Sequence, residues 1–523
     1  MRACFITVTA AAMALCASPA VDVPVIPRPV RVTPAKGVFV LKPGARLVAA
    51  QEAAAAGRAL SKAFALEATP GTRRPRGGIL VTVDGSLRLP GEEAYRLRIA
   101  PGGIEIRGKT AAGAFYGAQT LIQLAGESHK PGVRELRSVL IEDYPRFPWR
   151  GAMLDVSRHF LPKDYIFKFI DLLAMQKMNV LHLHLTDDQG WRIEIQKYPK
   201  LTEIGSVRKE TRVGHEREKK GFDGTPYGGF YTQADLREIV QYAQERFVQV
   251  VPEIEMPGHA QAAIAAYPEL GNTGERIEVS TRWGVHKDVF NVNESTIRFL
   301  QDVLDEVLAI FPSRFIHVGG DEVPLDQWKA SPQAQARKKE LGLKEDVELH
   351  GYFIRRMDQF LRQRGRRLVG WDEILEGGVD PSATVMSWRG NKGGIAAARS
   401  GHDVVMAPNT HTYFDYYQAK GPEEGLAIGG FLPLEKVYEF DPTPPELKPE
   451  EAKRILGTQG QLWSEYIPSP QRLEYMAFPR LTALAEVAWT PKDRKDYASF
   501  LERLRFYEQR WRSMGVNFRP TAK

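Results

Sequence analysis

Two adjacent carboxylates, Asp321 and Glu322, follow a short apolar run and two glycines in the stretch FIHVGGDEVP, residues 315–324. Phe315, Ile316 and Val318 suit a buried strand. Gly319 and Gly320 let the backbone turn sharply and admit a ligand close to it. Carboxylates at such a strand end are placed for acid–base chemistry. Other apolar runs end in comparable groups: Asp155 and Arg158; His184, Asp187, Asp188 and Trp191; Glu253, Glu255 and His259; Trp371, Asp372 and Glu373; Trp388; His411, Tyr413 and Asp415; Trp463 and Glu465. This set suits carbohydrate chemistry. A sugar needs flat apolar surfaces for its ring faces, which Trp371, Trp388 and Trp463 could supply. It needs planar charged groups for its hydroxyls, which Arg158, Asp415 and Glu465 could supply through charge-assisted hydrogen bonds. Glycoside hydrolysis commonly uses two carboxylates, one of them an acid of raised pKa. Neighbouring side chains at a strand end diverge, so Asp321 and Glu322 are poorly placed to flank a bond as acid and nucleophile. The better division has Glu322 protonating the leaving oxygen while Asp321 stays ionised and orients the substrate. Each group also has a plainer reading: a Trp as core or barrel lid, Arg158 as a structural ion pair, His182 as a packed histidine bonded to backbone.

The elements that must position these residues can be read from hydrophobic periodicity. Strands are expected at 151–155, 180–185, 248–254, 315–318, 368–371, 385–388, 404–407 and 457–463. Between them lie helical stripes such as Ile166, Phe169, Ile170 and Leu173, and a helix opened by the capping box Thr232–Asp235. Alternating strands and helices predict a parallel α/β fold, and eight strands predict a (β/α)8 TIM barrel with long loop insertions over 147–523. Ahead of it, residues 21–146 predict a small α+β domain. There Tyr95, Leu97 and Ile99 alternate, Pro101-Gly102-Gly103 turns the chain, and Ile104 and Ile106 alternate back. A helix with Ala114, Phe115, Ala118, Leu121, Ile122 and Ala125 on one face follows.

The chain has 523 residues, 43% hydrophobic and 26% charged, which is ordinary for a globular protein with a large core. Its net charge of +7 is scattered, and the densest basic stretch, Arg208 to Lys220, is interleaved with Glu210, Glu216 and Glu218. That pattern describes a solvated loop, not a nucleic-acid surface. Residues 1–20 read as a secretory signal peptide, with one early Arg, an apolar centre and a small-residue end. Secreted or periplasmic localisation is therefore expected. Both cysteines, Cys4 and Cys16, lie inside that segment. The processed chain has none, which excludes disulfides, thiolate metal sites and a Cys nucleophile. No later apolar run is long enough to span a membrane.

The motifs DVSRHF (155–160), HLHLTDDQGWR (182–192), VPEIEMPGHA (251–260), HVGGDE (317–322), GWDE (370–373), SWRG (387–390) and LWSE (462–465) resemble those of the β-N-acetylhexosaminidases of glycoside hydrolase family 20. GAFYGAQTL (113–121) resembles the family's small preceding domain. The resemblance implies exo-acting, retaining removal of terminal β-linked GlcNAc, and possibly GalNAc, by substrate-assisted catalysis without a cofactor. The nucleophile is then the carbonyl oxygen of the substrate's own 2-acetamido group. By resemblance, Asp321 holds the acetamido N–H, Glu322 is the general acid and then the base, and Tyr413 bonds the acetamido oxygen. Trp371, Trp388 and Trp463 wall the pocket. Arg158 binds the 3- and 4-hydroxyls, Glu465 the 4-hydroxyl and Asp415 the 6-hydroxyl, while Asp188 and His259 form a relay that tunes Glu322. Glu322 is expected to carry a proton near neutral pH through burial and the charge of Asp321. Two departures stand out: Leu183 where a Trp is common, and Glu255 where Asp is common.

Two other readings make different demands. The pair His182 and His184 fits a metal-dependent amidohydrolase-type barrel, which needs further His ligands and a bridging Asp. A catalytically inactive sugar-binding protein needs no Asp321–Glu322 pair.

Overall fold

The computed structural model describes residues 23–126 and 132–521. The expected signal segment and both cysteines lie outside them.

The eight expected strands form, each within two residues of the bounds read from the sequence: β1 (Trp149–Asp155), β2 (Val180–His184), β3 (Gln249–Glu253), β4 (Phe315–His317), β5 (Arg367–Trp371), β6 (Thr384–Ser387), β7 (Asp403–Met406) and β8 (Ile455–Leu462). All neighbours pair in parallel, and β8 closes on β1 to complete a barrel. Every residue of β1 and β2 is buried, as expected of strands covered on both faces. Period-two alternation stacks the barrel interior in layers. Trp149, Val180, Val251, Val369 and Val405 pack one apolar layer. Above it lie the buried polar groups His182, Glu253, His317, Gln459 and Gln461.

The helix Lys163–Met175 turns Ile166, Phe169, Ile170 and Leu173 into the core, each fully buried. The helix Gln233–Gln244 opens with the expected capping box: Thr232 Oγ1 accepts the Asp235 N–H at 3.1 Å, and Asp235 accepts the Thr232 N–H at 3.1 Å. One connection departs from the alternating pattern. Between β5 and β6 there is only the 3-10 turn Asp372–Leu375, because Gly377, Gly378 and Pro381 leave no room for a helix.

The small domain is a seven-stranded sheet carrying the helices Ala54–Phe64 and Ala111–Ala125. Its expected hairpin is present, with Ile99 opposite Ile104. The sheet joins the barrel near the N-terminal ends of β1 and β2, away from the strands' C-terminal ends. Lys177, fully buried, donates to Asp143 Oδ2 and to Tyr95 Oη, each at 2.9 Å. Trp489 Nε1 donates to the other Asp143 oxygen at 3.0 Å, and Arg150 pairs with Glu93 at 2.7 Å.

Candidate active site

The C-terminal ends of the strands converge on one face, where (β/α)8 enzymes place their chemistry. Beyond β4 the backbone makes a tight left-handed passage: φ is +67° at Gly319, +93° at Gly320 and +49° at Glu322. Only glycine fits at 319, where an added Cβ falls 1.7 Å from Glu255 Oε2. His259, after β3, also has φ +49°. Two non-glycine residues in this sparsely populated region mark a site whose side chains are aimed at a backbone cost of order 1–3 kcal/mol each.

His259 faces both carboxylates, with Nε2 at 3.7 Å from Asp321 Oδ2 and 3.6 Å from Glu322 Oε2. Its Nδ1 lies 3.2 Å from Asp188 Oδ2 and equally 3.2 Å from Asp187 Oδ1. Burial alone favours a neutral imidazole, but Asp187, Asp188 and Glu322 outweigh it and hold His259 protonated well above the usual range. The consequence reverses the protonation expected from the sequence. The His259 imidazolium holds the Glu322 carboxyl below its usual range, and this side chain is 39% exposed. Burial pushes Asp321 up to about 6, with the Glu322 charge adding to it. Asp321 is thus the carboxyl nearer neutrality, because its side chain is 10% exposed against 39% for Glu322 while His259 lies at almost the same distance from both.

The remaining expected residues gather around this pair. Trp371 is 1% exposed and donates through Nε1 to Glu253 Oε1 at 3.0 Å, so it forms the floor of the site. Trp463 packs 5.8 Å from Trp371, and Trp388 lies near-parallel to Tyr413 with ring centres 6.1 Å apart. Trp388 and Trp463 are half-buried. Arg158 is buried, pairs with Asp187 at 2.8 Å, donates through Nε to Gln189 Oε1 at 3.0 Å, and lies over the Trp463 ring. Burial first and the Glu465 charge second drive Asp415 well up, and burial raises Glu465. Asp321 Oδ1, Asp415 Oδ1 and Glu465 Oε2 are buried without a hydrogen-bond partner among the described residues. Buried polar atoms normally find partners. These three carboxylate oxygens, on the face of strand ends that also carries Trp371, Trp388 and Trp463, are acceptors available to a polyhydroxylated ring.

Several participants had no role in the sequence reading. Glu253 is the hub of the barrel interior, 2.5 Å from His184 Nδ1, 3.0 Å from His182 Nε2 and 2.7 Å from His317 Nδ1. His182 is therefore not packed against backbone as expected, but sits between Glu253 and Gln459, whose Nε2 approaches its Nδ1 at 2.9 Å. Glu373 accepts from Trp388 Nε1 at 3.0 Å, and burial raises it to about 8. The sequence signal for these groups was their period-two spacing along β2 and β3, which places His182, His184 and Glu253 inside the barrel. His184 meets Asp187 through Nε2 at 2.8 Å as well as Glu253 through Nδ1, so both ring nitrogens are engaged by carboxylates.

Comparison with known proteins agrees with this arrangement. The signature described as "Glycosyl hydrolase family 20, catalytic domain" matches residues 147–492, and that described as "Glycosyl hydrolase family 20, domain 2" matches residues 22–144. The chain belongs to glycosyl hydrolase family 20. Among family members, the beta-hexosaminidase of Porphyromonas gingivalis is 47% identical over 485 residues, covering 91% of this chain and 60% of that protein. The beta-hexosaminidase of Vibrio furnissii is 40% identical over 402 residues, 75% of this chain and 65% of that one. The chain thus spans just under two thirds of the length of these two relatives. The beta-N-acetylhexosaminidase of Cellulomonas fimi is 34% identical and matches nearly end to end, 96% and 97%. The solved family 20 exo beta-N-acetylglucosaminidase of Vibrio harveyi, in complex with N-acetylglucosamine, superposes with a TM-score of 0.85 at 34% identity. That match covers 96% of this chain and 79% of the other.

Proposed function

We propose that this family 20 chain is an exo-acting, retaining β-N-acetylhexosaminidase. It removes terminal β-linked GlcNAc, and GalNAc where the 4-hydroxyl contacts allow, from chito-oligosaccharides or glycans. The observation that carries the reading is the Asp321–Glu322 pair beyond β4, both members facing one His259 imidazolium, inside a ring of Trp faces and orphaned carboxylates.

The geometry supports a role for each side chain. Arg158, Glu465 and Asp415 hold the hydroxyls, and Trp463 and Trp371 carry the ring. Trp388 and Tyr413 enclose the acetamido group, with the Tyr413 hydroxyl bonding its oxygen. An acetamide is a weak nucleophile, so the reaction depends on positioning and on an anion beside the developing positive charge. Asp321 supplies that anion. The acetamido N–H donates to it and favours its ionised form. The sugar also covers Glu322, which raises its proton affinity toward that of a working acid. Glu322 then protonates the leaving oxygen as the acetamido oxygen attacks the anomeric carbon. In the second half Glu322 takes a proton from water, which opens the oxazolinium-like ring and restores the original configuration. Aromatic walls keep competing water from the intermediate.

Export from the cytoplasm is part of the proposal, supported by the N-terminal pattern of residues 1–20. The test of the activity is 4-nitrophenol release from the β-GlcNAc aryl glycoside with excess EDTA, beside the matching β-glucoside and the Glu322→Gln variant. Chelator-resistant activity confined to the acetamido sugar is expected, with Glu322→Gln much reduced on a chito-oligosaccharide and less so on the nitrophenyl glycoside. Activity abolished by EDTA returns the metal-hydrolase reading, and inactivity on the acetamido sugar returns the sugar-binding one.

A further inference from the structure

We infer that a groove at the edge of the small domain's sheet, lined by Arg46, Arg73, Arg74 and Arg76, binds a carboxylate-bearing polysaccharide of the uronate class. The groove stands apart from the barrel, so the inference holds or fails independently of the proposed reaction.

The positive charge looks scattered along the sequence, but the two domains do not share it. Residues 22–144 hold 18 of the 71 Lys and Arg and only 11 of the 64 Asp and Glu. The whole net charge of +7 therefore falls in the small domain, and the rest of the chain balances. Such an asymmetry marks a surface that meets an anionic partner. Elsewhere on the sheet the cations are answered: Arg31 and Arg96 share Glu142 at 3.2 and 2.6 Å, and Arg107 meets Glu105 at 2.6 Å. At the edge they are not. The parallel strands Leu47–Ala49 and Ala68–Pro70, with the loop 71–78, form a groove of about 830 Å³. Arg46, Arg73, Arg74 and Arg76 are exposed along it, and among the described residues none of the four is in an ion pair. Glu67 is the one carboxylate among the residues lining it.

The backbone holds this set together. The Ile79 N–H donates to the Arg46 carbonyl at 2.8 Å, and the Gly77 N–H to the Gly102 carbonyl at 3.2 Å. A Cβ added at Gly78 would fall 2.3 Å from the Arg46 carbonyl oxygen, so glycine is what lets the loop lie against the strand. Four cations around one groove repel one another, and Glu67 offsets only one of them. An anion that carries charges in series removes that repulsion. The walls select which anion. All four cations are arginines, whose planar fork pairs a carboxylate through two parallel hydrogen bonds. Glu67 and the Thr69 hydroxyl are exposed acceptors, which sugar hydroxyls use and a phosphate surface does not. The site is also concave and large enough for a short run of sugar units, whereas a bilayer is met by an apolar face laid into it. A chain seated there keeps the enzyme on an acidic glycan while the barrel works on its own substrate.

The experiment measures binding of fluorescent oligogalacturonate to the full chain by anisotropy. The variants are a groove triple (Arg73→Ala, Arg74→Ala, Arg76→Ala), the same three positions changed to Lys, and a distant triple of equal charge loss (Arg31→Ala, Lys36→Ala, Arg137→Ala). The parent should bind, and raising salt from about 0.01 M to about 1 M, which shortens the screening length about tenfold, should abolish binding. The groove triple should bind about tenfold more weakly or worse, and the distant triple within about threefold of the parent. The Lys triple keeps the charge and loses the fork, so it should also weaken binding; it carries the test if the Ala triple does not fold. All variants should keep the parent's kcat and KM on the 4-nitrophenyl β-GlcNAc glycoside, and polygalacturonate should not compete with that substrate. Equal losses in the groove and distant triples would mean attraction by net charge alone and overturn the site. Parent-like binding by the Lys triple, or tighter binding to dextran sulfate or to phosphatidylglycerol vesicles than to the galacturonate, overturns the carboxylate assignment. Competition with the glycoside would place the polymer in the barrel and overturn the groove.

Discussion

Asp321 is enclosed without a bonding partner for Oδ1, and that arrangement makes a quantitative claim about stability. A carboxyl that releases its proton near pH 6 instead of near 3.8 favours its neutral form in the folded state. Each tenfold change in proton affinity is worth about 1.4 kcal/mol, so ionising Asp321 in the empty site costs the fold about 3 kcal/mol at neutral pH. The sign follows from linkage. The folded pKa is raised, so the favourable contribution is complete below about pH 4 and is lost as pH rises through 6. Asp321→Asn has the shape of the neutral form and cannot ionise. It should therefore be more stable than the parent by about 3 kcal/mol at pH 7.5 and by only about half as much at pH 5. It should also be strongly impaired in turnover while still binding sugar. The assay is thermal unfolding of both proteins without ligand at the two pH values, with kcat on the aryl glycoside measured in parallel. A variant no more stable than the parent at pH 7.5, or one whose advantage grows toward pH 5, refutes the assignment of Asp321 as the strained, neutral-leaning carboxyl. A gain in stability with a loss of turnover is the signature of a site preorganised for its reaction.

Other expectations follow from the same geometry. Glu322→Gln should lower kcat by about 10²- to 10⁴-fold on chito-oligosaccharides, whose leaving group needs a proton, and by much less on aryl glycosides with acidic phenols; a leaving-group series reads this directly. In the parent, loss of the single proton that the two carboxyls share should bring kcat/KM down above about pH 6, and Asp321→Asn should move that limb; stopped assays across pH 4–9 check it. Asp143→Asn leaves the fully buried Lys177 ammonium without its anion and should destabilise the junction of the two domains by about 3–5 kcal/mol, seen as a lower melting temperature with unchanged kcat in the folded fraction.

Much of this molecule was legible in the residues. Every barrel strand was found because buried parallel strands read as short β-branched runs bounded by helices. The site followed because polar and aromatic residues recur after such runs, and closure of a barrel brings all those ends together. Two things were not legible. The missing helix between β5 and β6 depends on how little chain spans that gap, a tertiary fact that local propensity does not carry. The direction of the Asp321 and Glu322 shifts depends on which of two side chains near His259 is sealed from solvent. Sequence adjacency treats the two alike. Asp187 was visible only as one of an adjacent pair. Its contacts with Arg158 and His259 come from three strand ends meeting, which no spacing along the chain encodes.

The central claim is that the substrate's acetamido oxygen, and no side chain, attacks the anomeric carbon. The most direct measurement is kcat/KM for 4-nitrophenyl β-glycosides whose N-acetyl group carries none, one, two or three fluorines. Each fluorine withdraws electron density from the carbonyl oxygen and changes little else at the anomeric centre. Participation by that oxygen predicts a steep, progressive fall in kcat/KM along the series. A flat response contradicts it, and would mean that a protein carboxylate or an activated water is the nucleophile.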